Sequence, residues 1–383
     1  MKSLDQSAIR KQNVRKILDL LTQQSPRTRQ SLAEATGLSL MTVTNLVDQL
    51  KAQNVLELLP AKRGAEERRA LGRKAEHISL KGSCHAWLIV DLSGRNFRYT
   101  LLGFDLSVLA ERRCVAVGDY LPRLTAFLDS IRADLGDLLQ SYCLLGVSVV
   151  APGPYEISSD TVYNQRLPEL NSVRIKELMR SHLGEYDYYV DEDVKFAVRA
   201  FSSLFEQKEC ELLYYLYIGE GVGGASVHSG NMLRGLNATA GDAGQLTTPG
   251  GATYESLLSL SAFSAELGCA QADPQSLPQC LQQMASTHPE AYLKALLRMA
   301  DTAADMLFTV LWVLDPSHVI IDCRYAQPFE DAFIRRIEEN LAQRFAPLGR
   351  QLPSIAPAPK GMSSVVRGAV QVLQREWVER IVT

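Results

Sequence analysis

A glycine-rich stretch that contains one carboxylate stands directly after a run of apolar residues. It reads Ile218-Gly219-Glu220-Gly221-Val222-Gly223-Gly224 and follows the letters LLYYLY. Glycines at this density after a strand favour a loop whose backbone N–H groups hold a phosphate. Glu220 opposes that ligand, because it would bring a second negative charge close to the anion. The stretch therefore has the backbone of a phosphate loop and a side chain that argues against phosphate.

Length and composition indicate a globular chain of more than one domain. The sequence has 383 residues, of which 46% are hydrophobic and 22% charged. This length predicts two or three domains, and this composition is typical of soluble proteins. Neither a run of about 18 apolar residues nor the apolar part of a signal peptide is present, so we expect a cytoplasmic protein without a membrane span.

The seven cysteines do not form a recognisable pattern. They are scattered and never occur as a C-x-x-C pair. We therefore expect neither a disulfide framework nor a local zinc knuckle, and we expect most of them to be small buried side chains. The six histidines do not cluster in the sequence either, so each is expected to lie at the surface or in the core rather than on a metal.

Charge is distributed unevenly along the chain. Residues 1–81 contain 15 Lys and Arg against 8 Asp and Glu, whereas the other residues contain 25 against 35. A basic segment attached to an acidic body is typical of a nucleic-acid-binding module. A solvated basic face would give the same count, so the charge alone leaves both interpretations open.

The spacing of apolar residues favours DNA binding. Val14, Ile17, Leu18 and Leu21 recur at helical spacing, and the stretch Val43–Leu50 repeats it. Between them, Thr28 and Gly37 are predicted to begin and end a short helix, and Ser39 to cap the next one. Helix, glycine turn and helix form the helix-turn-helix arrangement, whose second helix enters the major groove of DNA.

Several residues of that second helix and of the following segment are predicted to contact DNA. When Val43, Leu46 and Val47 are buried, the amino-terminal half of the helix exposes polar side chains that can reach DNA. The carboxylate of Asp48 also points outward, and its negative charge argues mildly against DNA binding. Two short strands, 55–59 and 77–80, flank a basic connection that predicts a wing lying along phosphates. The alternative is a helical protein-interaction module with a solvated basic loop. The predicted DNA contacts are Ser39, Met41, Thr42, Thr44, Asn45, Arg63, Arg68, Arg69, Arg73 and Lys74.

From Ser83 onward the sequence indicates two similar α/β lobes. Strand-like stretches HAWLIVDL, FRYTLLGF and VLAERRCVAV are followed by a helical stretch and the buried strand LLGVSVVAPG. A second cycle starts near Glu211 and ends with the strand HVIIDC. Such a repeat predicts a duplicated fold with a cleft between its lobes, where nucleotides or sugars often bind.

Four segments of the body, in this order, resemble the ROK family, which contains bacterial sugar-responsive repressors and sugar kinases. They are VYNQRLPEL at 162–170, YVDEDVKFAVRA at 189–200, IGEGVGGASVHSGNMLRG at 218–235 and AGDAGQLTTPGG at 240–251. The resemblance, which runs from Asn13 to the carboxyl end, implies an α/β fold: a winged helix-turn-helix followed by a duplicated actin-like (ribonuclease H-like) body. The predicted domains are 1–81, 82–200 and 201–383.

Where the family has nucleotide motifs, this sequence departs from them. In the first phosphate loop Ser93 takes a position close to phosphate, and in the second Glu220 replaces a small hydroxyl residue. Two or three glycines on the adenosine side are replaced by Asp322-Cys323-Arg324. The resemblance therefore implies a body that no longer binds ATP, so that no cofactor is expected and the protein is not an enzyme.

On the sugar side the resemblance is better preserved. It implies that Asp193 occupies the position of the kinases' general base, here vestigial and reduced to accepting sugar hydroxyls. Helix capping by Asp193 and Glu192, and a plain turn at Asp242, are the alternative interpretations. The residues assigned to the sugar by this resemblance are Asn164, Glu192, Asp193, Asp242, Gln245 and Glu255.

The structural zinc site of the family is predicted to be absent. Gln245 stands where the family has a histidine ligand, and TTPGGATYE contains no cysteine. The function that these features imply is a dimeric or tetrameric repressor of sugar genes that binds operator DNA and a sugar or sugar phosphate. The alternatives are an active kinase with an added DNA module and a ligand-independent scaffold for a protein partner.

Overall fold

The computed structural model follows the predicted order of elements. It describes residues 6–59, 76–94, 96–114, 119–164, 167–202, 212–269 and 276–382. The helices are α1 (Gln6–Gln23), α2 (Arg29–Thr36), α3 (Leu40–Ala52), α4 (Tyr120–Ser141), α5 (Ile175–Leu183), α6 (Asp193–Ser202), α7 (Tyr254–Leu258), α8 (Leu260–Glu266), α9 (Leu277–Thr287), α10 (Pro289–Leu314), α11 (Glu330–Phe345) and α12 (Ser364–Ile381).

The strands form four sheets, two of them with five strands each. The strands are β1 (Arg27–Thr28), β2 (Leu56–Leu59), β3 (His77–Leu80), β4 (His85–Asp91), β5 (Phe97–Gly103), β6 (Val108–Cys114), β7 (Cys143–Ala151), β8 (Tyr155–Glu156), β9 (Thr161–Val162), β10 (Tyr188–Glu192), β11 (Leu212–Ile218), β12 (Val222–His228), β13 (Asn231–Leu233), β14 (His318–Cys323) and β15 (Ser354–Pro357).

The amino-terminal segment folds as the caps and spacing predict. The Thr28 hydroxyl accepts from the Ser31 N–H and so caps α2, and Gly37 ends that helix at φ 69°. This left-handed conformation costs glycine little because it has no Cβ. Both predicted apolar stripes are buried, and β1, β3 and β2 form a small antiparallel sheet beside them. The predicted winged helix-turn-helix is confirmed as a fold.

The two five-stranded sheets have the same topology. In one, the antiparallel strands β4, β5 and β6 continue into the parallel strands β7 and β10 on the other side of β4. In the other, β11, β12 and β13 take the place of the antiparallel strands, and β14 and β15 of the parallel ones. The repetition confirms the predicted duplicated α/β body.

Contacts divide the chain into two compact units. The first unit contains the residues up to Glu192 and those from Ala369 onward, and the second contains Asp193–Gly368. The predicted division between lobes after residue 200 falls within α6, and the end of α12 belongs to the first unit. The three-domain division of the sequence remains a prediction.

Each unit has its own apolar core. In the first, one side of the five-stranded sheet packs against α4 and α5, with the parallel pair β4 and β7 at the centre. In the second, α10 runs through the main cluster and contributes Met306, Leu307, Val310 and Leu311, whereas Trp312 and Val313 are exposed. The apolar stretch 302–314 thus mostly packs within the core.

The expectation for the cysteines was wrong in two respects. Cys269 and Cys280 are joined by a disulfide, which no sequence pattern indicated because 11 residues separate them. Of the free cysteines described, only Cys323 is buried, and Cys143 is exposed. Cys210 lies outside the described residues.

Candidate functional site

Helix α3, the predicted recognition helix, begins with hydroxyl groups that hydrogen-bond to one another. The Ser39 Oγ accepts from the Thr42 N–H at 3.1 Å and lies 2.9 Å from the Thr42 hydroxyl. The Thr44 hydroxyl donates to the Leu40 carbonyl at 2.8 Å. Asn45 is exposed, and its amide makes no hydrogen bond within the described part of the chain. Of the predicted polar contacts on this helix, Asn45 therefore has the side chain that is most available.

The carboxylate of Asp48 is paired with an arginine from the preceding helix. Arg29, the first residue of α2, donates to Asp48 Oδ1 at 3.1 Å and to Glu76 Oε2 at 2.8 Å. The argument against DNA that Asp48 raised in the sequence is thereby weakened, because its charge is partly offset by a guanidinium that it shares with Glu76. The predicted wing residues Arg63, Arg68, Arg69, Arg73 and Lys74 lie outside the described residues.

The glycine loop of the second unit joins β11 to β12. Several of its backbone groups form hydrogen bonds with other protein atoms. The Gly219 N–H donates to the Gly221 carbonyl at 2.9 Å, and the Leu260 N–H donates to the Gly219 carbonyl at 2.6 Å. The Val222 N–H faces Glu255 Oε2 at 3.5 Å. Two N–H groups that a phosphate would need thus point to protein oxygens.

Tyr217, which the sequence did not single out, lies over this loop. A Cβ atom built on Gly219 would lie 2.5 Å from Tyr217 Cζ and 2.9 Å from Arg324 Cγ. Burial raises the pKa of the Tyr217 phenol, and the nearby Asp193 carboxylate raises it further, whereas Arg324 lowers it. Tyr217 and Arg324 together cover one side of the glycine turn.

Most of the other residues predicted to fill the nucleotide space are exposed, buried in the core or hydrogen-bonded elsewhere. Glu220 is exposed to solvent. Asp322 accepts from the Tyr215 hydroxyl at 2.9 Å. Cys323 is buried in the core, which raises the pKa of its thiol to about 12. Of the segment 322–324, only Arg324 lies beside the glycine turn, and it does so through the apolar part of its side chain.

In the corresponding loop of the first unit, the carboxylate of Asp91 has partners within the protein. Its Oδ1 accepts from the Ser93 N–H at 3.1 Å and from the Ser93 hydroxyl at 2.7 Å. Arg98 donates to Oδ2 at 3.2 Å. The Ser93 hydroxyl thus helps to close the turn.

Asn164 and Glu192, both in the first unit, bind the same short segment. The Asn164 amide donates to the Gly153 carbonyl at 2.7 Å, and Glu192 Oε1 accepts from the Tyr155 N–H at 2.9 Å. A Cβ on Gly153 would come 2.7 Å from the Glu192 carboxyl carbon, so a larger residue there would force the Glu192 carboxylate to shift. The two predicted ligand residues are brought together, and each also holds the segment 153–155 in place.

Asp193 begins α6, and its Oδ1 accepts from the Val194 N–H at 2.8 Å. Two residues later Lys195 is buried, and its Nζ donates to the Ala238 carbonyl at 2.6 Å. Asp242 Oδ1 accepts from the Gly244 N–H at 3.3 Å, which is the turn geometry of the alternative interpretation. Burial raises the pKa of Asp242, although Lys195 opposes the shift.

Gln245 and Glu255 are brought together beside the glycine loop. The Gln245 amide donates to Glu255 Oε2 at 3.4 Å, the same oxygen that faces the Val222 N–H. An amide in this position provides no imidazole, and no cysteine stands in the segment 246–254, so these residues do not fit a structural zinc. The described parts of the chain contain no cluster of three or more His, Cys, Asp and Glu arranged for a metal, and no helix there could span a membrane.

Comparison with known proteins gives matches in both parts of the chain. The model of the ROK family matches residues 88–376, and the model of winged helix-turn-helix DNA-binding domains matches residues 10–57. No curated protein sequence matches significantly.

Solved structures share this fold at low sequence identity. A ROK family transcriptional regulator, a homologue of the Escherichia coli Mlc protein, is 15% identical with a TM-score of 0.70, over 97% of this chain and 98% of that chain. A ROK glucokinase from Streptomyces griseus, in complex with glucose and AMPPNP, is 16% identical with a TM-score of 0.61, over 75% and 98%. A ROK family protein from Streptococcus pneumoniae, in complex with sucrose, is 19% identical with a TM-score of 0.59, over 76% and 98%. The chain described here belongs to the ROK family.

Proposed function

We propose that this protein is a cytoplasmic DNA-binding repressor of sugar-metabolism genes that senses a sugar or sugar phosphate and does not use ATP. One observation carries the proposal: a winged helix-turn-helix precedes a kinase-like body whose glycine loop is covered by Tyr217 and Arg324. The Mlc homologue, which aligns over nearly its whole length, supports the same combination of domains.

The DNA-binding part of the proposal is supported by the geometry of α2 and α3. Their caps and the left-handed Gly37 build the turn, and the ion pair with Arg29 partly offsets the charge of Asp48. The basic excess of residues 1–81 supplies the attraction to phosphates that such a helix needs.

The loss of ATP binding is supported by contacts within the second unit. A phosphate at the glycine turn would have to compete with the Gly221 carbonyl and the Glu255 carboxylate for N–H groups. It would also have to displace the Tyr217 ring from Gly219. Each displacement costs free energy. Ordinary phosphate loops avoid this cost, because their N–H groups already point outward before phosphate binds.

We assign sugar contacts to the polar residues that the family resemblance indicates within each unit. In the first unit these are Asn164 and Glu192, and in the second Asp193, Asp242, Gln245 and Glu255. Carboxylates and amides are suited to sugars, because each oxygen accepts from a hydroxyl. Asp193 occupies the position that the family resemblance gives to the kinases' general base, which makes it the best single test.

A shift between two conformational states would link the ligand to DNA. A dimer whose two recognition helices lie about one helical turn of DNA apart, or a multiple of it, loses affinity when that distance changes. A ligand shifts such an equilibrium only through its different affinity for the two states.

Two measurements test this proposal separately. Selection of bound duplexes from a random DNA library should yield one two-fold symmetric site. A thermal-shift screen over hexoses and hexose phosphates should find a ligand that raises the melting temperature of the protein but not of Asp193→Asn. Asp137→Asn, an exposed site on α4, is the matched control and should respond like the unaltered protein. If no DNA site can be selected, the proposed role as a DNA-binding regulator is refuted. If no sugar raises the melting temperature, the proposed sugar sensing is refuted.

A further inference from the structure

Two large apolar side chains are exposed at the start of the recognition helix. Leu40 is 54% exposed and Met41 is 76% exposed, although both belong to a helix whose apolar stripe is otherwise buried. Ser39 caps the helix directly before them. Two adjacent exposed apolar side chains at the amino end of a predicted recognition helix are candidates for contact with a binding partner.

The polar residues around this pair are largely engaged within the protein. The hydroxyls of Ser39 and Thr42 bond to each other, and that of Thr44 bonds to the helix backbone. Asp48 is paired with Arg29. Asn45 lies four residues after Met41 and so on the same face of the helix, with its amide available. The accessible groups at this end of α3 are thus two apolar side chains and one amide.

We propose that Leu40 and Met41 read the methyl groups of thymines in the major groove of the operator. This inference rests on the proposed DNA binding and specifies which bases the helix recognises. The thymine methyl is the apolar group that base pairs present in the major groove, and apolar side chains contact it there. Asn45, next to Met41 on the helix, suits the adenine edge, because an Asn amide pairs with adenine N6 and N7. The recognised half-site therefore contains A·T pairs at the position of the helix start.

DNA is favoured over a second protein as the partner of this pair. The pair lies at the amino end of the second helix of the helix-turn-helix, which is the end that reaches base edges. The surrounding segment, residues 1–81, has 15 Lys and Arg against 8 Asp and Glu, which complements phosphates.

The test removes only the methyl group. The site selected in vitro from a random duplex library is synthesised with uracil in place of thymine, one position at a time, and the dissociation constant is measured by fluorescence anisotropy at fixed salt. We expect about a fourfold loss at one or two positions of each half-site, which corresponds to the ~0.8 kcal/mol of one buried CH₂ group. Leu40→Ala and Met41→Ala should each bind thymine and uracil duplexes nearly equally at the position that they contact. Val108→Ala, an equally exposed apolar site on β6 (58% exposed), should keep the full difference.

Each outcome has a distinct meaning. If no site can be selected, the proposed DNA binding fails. If a site is found but uracil binds as tightly as thymine everywhere, or if both alanine variants keep the full difference, this inference is overturned while DNA binding stands. A change of oligomeric state in Leu40→Ala or Met41→Ala, with unchanged discrimination, assigns the pair to a protein contact and overturns the inference as well.

Discussion

The guanidinium of Arg29 contacts the carboxylate of Asp48 at 3.1 Å and thereby joins the two helices of the helix-turn-helix. Its other terminal nitrogen contacts Glu76, the residue before β3. Arg29 thus connects α2, α3 and the base of the predicted wing. Asp48 and Glu76 are both largely exposed, so their ion pairs with Arg29 should add little to the stability of the fold. We expect Arg29 to act mainly on the electrostatic potential at the DNA-binding surface.

Replacement of Arg29 by Gln is predicted to weaken DNA binding. Asp48 would then present an uncompensated charge to the phosphates, which should reduce affinity by about fivefold, or roughly 1 kcal/mol. The double variant with Asp48→Asn should recover most of this loss. The measurement is anisotropy on the selected duplex, with Arg335→Gln on α11 as a control of equal charge change. If Asp48→Asn does not rescue, the role of Arg29 is structural instead.

Two glycine-to-alanine changes in helices are predicted to act in opposite directions. A Cβ on Gly368 of α12 would lie 2.6 Å from the Phe196 carbonyl carbon on α6, so Gly368→Ala must separate the helices. We expect a loss of about 1–3 kcal/mol in the free energy of unfolding. Gly136 on α4 has open space around it, and Gly136→Ala should add about 0.5–1 kcal/mol. Urea unfolding of both variants checks this, and a stable Gly368→Ala contradicts the close packing.

Asp19 in α1 is predicted to make stability depend on pH. Burial raises the pKa of its carboxyl from 3.8 to about 6, although Arg15 opposes the shift. The native state therefore holds this proton where the unfolded state has lost it, so stability falls as pH rises from about 4 to about 6.

Asp19→Asn should remove that penalty. It should raise the free energy of unfolding at pH 7.5 by roughly 2–3 kcal/mol and leave it almost unchanged at pH 4. Urea unfolding at the two pH values measures this, with Asp137→Asn as the exposed control. Equal effects of Asp19→Asn at both pH values would contradict the assignment.

Local signals in the sequence predicted the helices and strands well. Contacts between residues far apart in the chain could not be predicted from it. The caps at Thr28 and Ser39 and the turn at Gly37 depend on neighbouring residues, so a pattern can reveal them. The Arg29–Asp48 pair spans 19 residues and the Cys269–Cys280 disulfide 11, and no periodicity relates their members.

The glycine loop shows the same limit at the candidate site. The sequence drew attention to Glu220, which is exposed, because its charge is conspicuous between glycines. Tyr217 looked like one more residue of an apolar strand, and only the fold places its ring against Gly219. A side chain that blocks a loop from the preceding strand can be recognised only when the direction of that strand is known.

The most direct test of the account is a calorimetric titration of the protein with MgATP and MgAMPPNP, together with an assay for phosphate transfer to hexoses. The account predicts no binding at millimolar nucleotide and no transfer, in the presence or absence of sugar. Tyr217→Ala combined with Arg324→Ala uncovers Gly219 and shows whether these side chains are the obstacle. Micromolar binding of either nucleotide to the unaltered protein, or measurable phosphorylation of any hexose, would contradict the account and favour an active kinase.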